Sequence, residues 1–218
     1  MVHEDESGTA DTLINRIIKY LIKKGDYRPQ EEHSFVPALC NRIDRNTSGL
    51  VLCAKNAAAL LFLNEKIRSR EVEKEYLAVA VGRPPLKHDL CKAFLRKDEN
   101  KNQVRIYPEP GPGAKTILTE YTVLKTGSGL SLLQIRLHTG RTHQIRAHMA
   151  YLGCPLLGDT KYGNRESLAL SKKLGLSWQA LCAATLNFAF KDTEERFSYL
   201  KGKEFNSRKG KDLYRYFK

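Results

Sequence analysis

Apolar residues fall at 13, 14, 17, 18, 21 and 22 in the stretch DTLINRIIKYLIKKG. That is the spacing of one helical face, and it predicts a helix capped by Asp11 and stopped by Gly25. The preceding MVHEDESGTA is polar and reads as extended. A polar loop, DYRPQEEHSFVP, leads to CNRIDRNTSG, in which Asn46, Thr47, Ser48 and Gly49 are turn formers. Leu50 to Ala54 reads as a short buried strand, and Asn56 then caps a helix through NAAALLFLNEKIRSRE.

Strand patterns follow. EYLAVAVG is β-branched and alternating, and LCKAFLRKD and NQVRIYP read as the arms of a hairpin around DENK. AKTILTEYTVLKTGSGLSLLQIRLHTG supplies two more strands joined at Gly127-Ser128-Gly129. RTHQIRAHMAYLG returns to helical spacing, with Ile145, Met149 and Leu152 on one face. A loop with Gly153, Pro155, Gly158 and Gly163 comes next, and LNFAFKD is a late strand. Strands clustered mid-chain between helices predict an α+β fold, with a mixed, largely antiparallel sheet flanked by helices. There is no repeat or low-complexity linker, so residues 1–218 read as one domain, with a frayed basic tail over about 201–218.

Charge changes the picture. Lys and Arg number 37 against 24 Asp and Glu, a net +13, which favours a polyanionic partner such as nucleic acid. The five cysteines, at 40, 53, 91, 154 and 182, form no CxxC pair and read as small core residues of a reducing compartment. No apolar run reaches membrane-span length and no signal-peptide core opens the chain. The expected location is therefore cytoplasmic.

Three stretches hold candidate chemistry. Asp44 stands between Arg42 and Arg45 on a loop before a buried strand. Neighbouring guanidinium groups favour the ionised carboxylate, which suits a nucleophile or base; the competing reading is an ordinary surface ion pair. His138 to His148 holds two arginines, three histidines and a glutamine at a helix start, a grouping suited to phosphate. His143 and His148 are five apart and share no helix face, and HExxH is absent, so no metal site is expected. Tyr76 opens a strand in EKEYL, where packing alone would also place it. The stretches GPG and GSG fit no phosphate-binding loop, so no cofactor is expected, and GxSxG is absent.

Together these stretches resemble the pseudouridine synthases that modify ribosomal or transfer RNA, in the branch of the large-subunit ribosomal enzymes. The family motif H-R-L-D-R-x-T-S-G stands here as NRIDRNTSG, and its K-x-Y strand start as KEYLAVAVG. G-R-T-H-Q-I-R-x-H followed by G-x-P-x-x-G-D-x-x-Y stands as GRTHQIRAHMAYLGCPLLGDTKYG, with LCAATL as a fourth match. The order is the family's, over about residues 39 to 190.

The resemblance implies an isomerase that breaks the bond from uridine N1 to ribose, turns the base and rejoins it through C5. It implies Asp44 as the essential aspartate and Tyr76 as the tyrosine packed against the target base. It implies Arg146 as the arginine paired with that aspartate, Leu181 as a pocket-lining residue and Arg42 as the residue entering the helix where the base has left. Arg45, Arg141 and His143 are the further candidates for RNA binding or base flipping. Ribosomal RNA is the expected partner, transfer RNA the alternative, and the chain is expected to be a monomer.

The chain departs from the family in two places. Asn41 stands where His is usual, and the sequence starts after the family's Lys-Pro-x-Gly strand, so a first strand and an N-terminal RNA-binding domain are expected to be lacking. His3, His33 and His88 carry no expected role. A non-catalytic RNA-binding or ribosome-assembly protein on the same fold is the rival reading. A metal-dependent nuclease would need clustered carboxylates, whereas Asp44 has arginine neighbours.

Overall fold

A computed structural model describes residues 12–32, 34–98 and 101–217. The expected cap Asp11, the extended N-terminal stretch, His3, His33 and the turn residues Glu99 and Asn100 lie outside the described residues. The described chain forms two compact units, one built from residues up to Asn46, Leu50–Glu73 and Leu186–Phe205, the other from Thr47–Gly49, Lys74–Thr185 and Asn206 onward. Among the described residues no helix is long and apolar enough to cross a membrane.

In the first unit, α1 (Leu13–Lys24) is capped by Thr12, whose hydroxyl accepts from the Asn15 amide. Gly25, at φ 78°, ends it as the spacing predicts. Strand β1 (Ala38–Leu39) pairs antiparallel with β3 (Cys53–Ala54). The buried strand expected over Leu50 to Ala54 is therefore confined to its last two residues, and of the five only Ala54 is buried, Leu50 to Cys53 being half-buried. Asn41 interrupts it, because its side-chain oxygen takes the Leu52 amide at 2.7 Å in place of a ladder partner. Helix α2 (Ala57–Arg68) is capped by Asn56 onto Ala59, as expected. It buries Phe62 and Leu63 against Ala54, Val72, Leu186, Phe188, Phe190 and Phe197. Phe62 stacks on Phe197 with centroids 4.4 Å apart.

The second unit is built on a sheet. β4 (Val72–Val81), β5 (His88–Asp98), β6 (Gln103–Tyr107), β7 (Lys115–Gly127) and β8 (Leu130–Leu137) lie in the order β4-β8-β7-β5-β6, every pairing antiparallel. The two expected hairpins are present. In the β7–β8 turn, Ser128 and Gly129 take φ 51° and 75°, the mirror-image turn that a two-residue hairpin favours. β5 alternates, burying Cys91, Ala93 and Leu95 while exposing Leu90 and Lys92. Helix α3 (Gln144–Tyr151) covers the β5–β7 face, with Ala147 against Ala93, Leu95, Val104 and Ile117.

Further segments differ from expectation. Ser48 and Gly49 form a short strand, β2 (Ser48–Gly49), parallel to β9 (Leu181–Phe188), instead of a turn. Gly49 sits at φ 112°, and a Cβ there would come within 2.1 Å of the Ala183 carbonyl oxygen, so only glycine lets the two backbones close. The basic C-terminal stretch is folded: β10 (Glu204–Asn206), a one-turn helix at Arg208–Lys211 and a 3-10 helix at Asp212–Phe217. Phe217 is buried in a cluster with Val79, Val81, Leu130, Leu132 and Leu157, joined by Leu213 and Tyr216. These apolar residues dock a stretch whose lysines suggest fraying. The helix Arg165–Lys173, α4, was hidden in the sequence because its apolar residues are few, although Asn164 caps it onto Ser167.

Candidate active site

The turn into α3 is held by a side chain. Gln144 Oε1 accepts from the Thr139 hydroxyl at 2.9 Å and the Arg141 amide at 3.1 Å. Its amide nitrogen donates to the Leu118 carbonyl and to Thr119 Oγ1, both at 3.1 Å. One buried amide thereby joins the α3 start to β7 with every hydrogen-bonding position used. His148 lies 2.9 Å from the same Thr119 hydroxyl, and burial pushes its pKa down to about 4. Gln144 and His148, grouped by sequence with the phosphate-binding candidates, are thus part of the scaffold.

Arg146 lies on the next part of the helix and is 7% exposed. Its Nε and Nη2 donate to the two carboxylate oxygens of Asp159 at 2.7 and 2.9 Å. Asp159 is 1% exposed and also accepts the backbone amides of Lys161 and Tyr162. The guanidinium carbon stands 5.3 Å from the Tyr162 ring centroid. The Tyr162 hydroxyl accepts from the Val104 amide and lies 2.8 Å from His143 Nδ1. Arg146, Asp159, Tyr162 and His143 therefore form one packed polar group, while Arg141 keeps its side chain exposed.

Backbone bonds fix this group to the sheet. The Leu157 amide donates to Val79, the Val79 amide to Ala180, and the Ala180 amide to Leu157, at 2.7 to 2.9 Å. Gly158, between Leu157 and Asp159, has φ 77°, and a Cβ there would meet the Trp178 carbonyl oxygen at 1.9 Å. Tyr76, 8% exposed, lies three residues before Val79 on the same strand and faces Ile135 of β8. Next to it, Glu75 accepts from Gln134 and Arg136 at 2.6 Å each. Leu181, buried, opens β9, and its carbonyl takes the Ser48 hydroxyl at 3.3 Å. Gln179 donates to Thr47 Oγ1 at 3.1 Å. The small residues of NRIDRNTSG are thus tied down by the strand carrying LCAATL.

In the first unit, Arg42 and Arg45 are exposed and Asp44 is half-buried, three residues along the chain from Thr47. Asn46 takes the left-handed conformation at φ 67°, one of the few residue types that adopts it at small cost. Asn41 is buried and holds the start of this loop to Leu52. So Arg146, His143, Tyr76, Leu181 and Arg141 belong to the second unit, and Asp44, Arg42 and Arg45 to the first.

Asp159 and Tyr162 went unassigned from sequence. The available signal was an acid in a glycine-flanked, apolar stretch, LLGDTKYG, where an aspartate stays only if a buried cation pairs with it. Among the described residues no group of three or more His, Cys, Asp or Glu could hold a metal ion.

Comparisons with known proteins bear on this arrangement. A profile described as RNA pseudouridylate synthase matches residues 8–151. An uncharacterized RNA pseudouridine synthase of Chlorobaculum parvum is 35% identical over 210 residues, covering 91% of this chain and 64% of that protein. The ribosomal large subunit pseudouridine synthase D of Borreliella burgdorferi is 35% identical over 162 residues, covering 74% of this chain and 48% of that one. The chain thus spans less than two thirds of the length of these relatives. Human RNA pseudouridylate synthase domain containing 1 superposes with a TM-score of 0.61 at 25% identity, over 79% of this chain and 76% of that one. Human RNA pseudouridylate synthase domain containing 4, at 21% identity and a TM-score of 0.69, shares the fold over 99% of this chain and 91% of that one. The matched span contains Asp44, Tyr76 and Arg146 in their motifs, and on these grounds the chain belongs to the RNA pseudouridylate synthase family.

Proposed function

We propose that the protein isomerises specific uridines of RNA to pseudouridine, with ribosomal RNA as the substrate. The observation that carries this reading is the family match across 8–151. The large-subunit ribosomal names of several relatives, the Borreliella burgdorferi protein among them, favour ribosomal over transfer RNA. The net charge of +13 suits an RNA backbone.

In the reaction the N1–C1′ bond of uridine breaks, the base turns, and C5 bonds to C1′; C5 loses its proton and N1 gains one. Atoms balance within the substrate, so no redox partner or energy source is needed. Asp44 is the carboxylate that acts, by attack on the sugar or base or by removal of a ribose proton. The resemblance gives Arg146 the task of ordering the site, and Asp159 sets the orientation of its guanidinium through two hydrogen bonds. Tyr76 packs against the target base, and Leu181 lines its pocket. The uridine is flipped from its stack to reach them, Arg42 filling the vacated place. Arg45, Arg141 and His143 contact the RNA around it.

Pseudouridine mapping tests the proposal. Large-subunit ribosomal RNA and bulk transfer RNA, both lacking the modification, are incubated with wild type and with Asp44→Asn, and new sites are read by carbodiimide adduct and primer extension. Sites made by wild type alone are expected in ribosomal RNA. Tight RNA binding with no new site from either protein would favour the rival binding-only reading.

A further inference from the structure

The sequence has one tryptophan, Trp178, and it is 61% exposed. An indole is a costly group to leave in water, and exposed tryptophans concentrate where a surface binds something. Among the described residues no aromatic ring or cation lies against it. Its backbone, by contrast, is tightly fixed. The Trp178 carbonyl oxygen closes on Gly158, the residue before Asp159, so closely that no side chain fits there. The next residue, Gln179, donates to Thr47, and Ala180 joins the backbone ring with Val79 and Leu157. The indole is therefore carried on a rigid mount between the residue that clamps Arg146 and the strap on Thr47. Lys172 and Lys173, both exposed and in no ion pair among the described residues, end the helix just before it.

We propose that Trp178 is a stacking platform for a nucleobase of the RNA substrate, one flanking the uridine that is modified. A flat ring accepts any base on its face, and the two lysines suit the adjoining phosphates. A rigid mount keeps the ordering cost of such a contact low. Trp178 touches RNA next to the reacting nucleotide and acts on substrate affinity and choice; the proposal rests on the isomerase reading for its substrate.

As the single tryptophan, Trp178 is its own probe. Emission of the full chain is titrated with unmodified oligouridylate and with transcribed large-subunit ribosomal RNA, while anisotropy of labelled copies reports binding independently. Quenching in step with binding is expected. Trp178→Ala should weaken binding and raise KM roughly tenfold with kcat less changed, and Trp178→Phe should restore most of the loss. RNA bound by anisotropy with emission and Trp178→Ala affinity both unmoved would overturn the proposal. So would self-association in sedimentation that is lost in Trp178→Ala while RNA affinity is kept. Quenching without any pseudouridine formed would instead defeat the isomerase reading and leave the stacking contact standing.

Discussion

Arg146 and Asp159 are 13 residues apart, and they meet through two parallel hydrogen bonds in a setting where neither carries appreciable exposure. The pair links the helix bearing the RTHQIR motif to the loop bearing GDTKY. Such a pair adds little stability over an apolar pair of the same volume, yet removing one partner leaves a charge buried alone. Its retention is explained by orientation: two bonds and a ring face leave the guanidinium one position.

Asp159→Asn is expected to lower stability by about 3–5 kcal/mol, measured by urea denaturation, and to reduce kcat. Arg146→Met combined with Asp159→Leu should recover part of the stability and none of the activity, because the charge is no longer buried alone while the Lys161 and Tyr162 amides still lose their acceptor. A double variant as unstable as Asp159→Asn would refute this account.

Gly49→Ala should destabilise by at least about 2 kcal/mol, since the new Cβ meets backbone, which has little room to give. Gly25→Ala, at a φ of 78° with open space around it, should cost only about 1 kcal/mol. Thermal melts of the two variants side by side check the difference.

His148 gives a pH dependence with a defined sign. Burial holds its pKa down to about 4 in the folded chain, below the 6.5 of an unperturbed histidine. Between these values the unfolded chain binds the proton and the folded chain does not. Its contribution is therefore present in full above about pH 6.5 and is lost progressively toward pH 4, by about 3 kcal/mol in all. His148→Gln, which keeps a partner for Thr119, should show a shallower fall in stability from pH 7 to pH 5 in urea titrations.

Arg141 shows a different division of labour. Its backbone amide serves the scaffold through Gln144, while its side chain is exposed. Arg141→Ala should leave the melting temperature nearly unchanged and weaken RNA binding, lowering the slope of log Kd against log salt by about 1. Gln144→Ala should do the opposite, costing stability first, because it strands four hydrogen-bond partners.

Much of this protein was legible from local pattern. The caps at Asn56 and Gly25, both hairpins and the antiparallel character of the sheet follow from spacing and turn residues, which act over a few positions of chain. The motifs likewise marked Arg146, Tyr76 and Asp44 as residues of interest. Tertiary structure decided what depends on distant chain segments. Thr47 to Gly49 read as a turn until Ala183 and Gln179 were available to bond them. The lysine-rich C-terminus read as frayed until Val79 and Leu132 supplied a place for Phe217. Gln144, His148, Arg146 and Asp159 share one polar vocabulary, and only burial and partners sort scaffold from candidate site. A sequence records which groups can bond, whereas the fold determines which of them are taken out of water together.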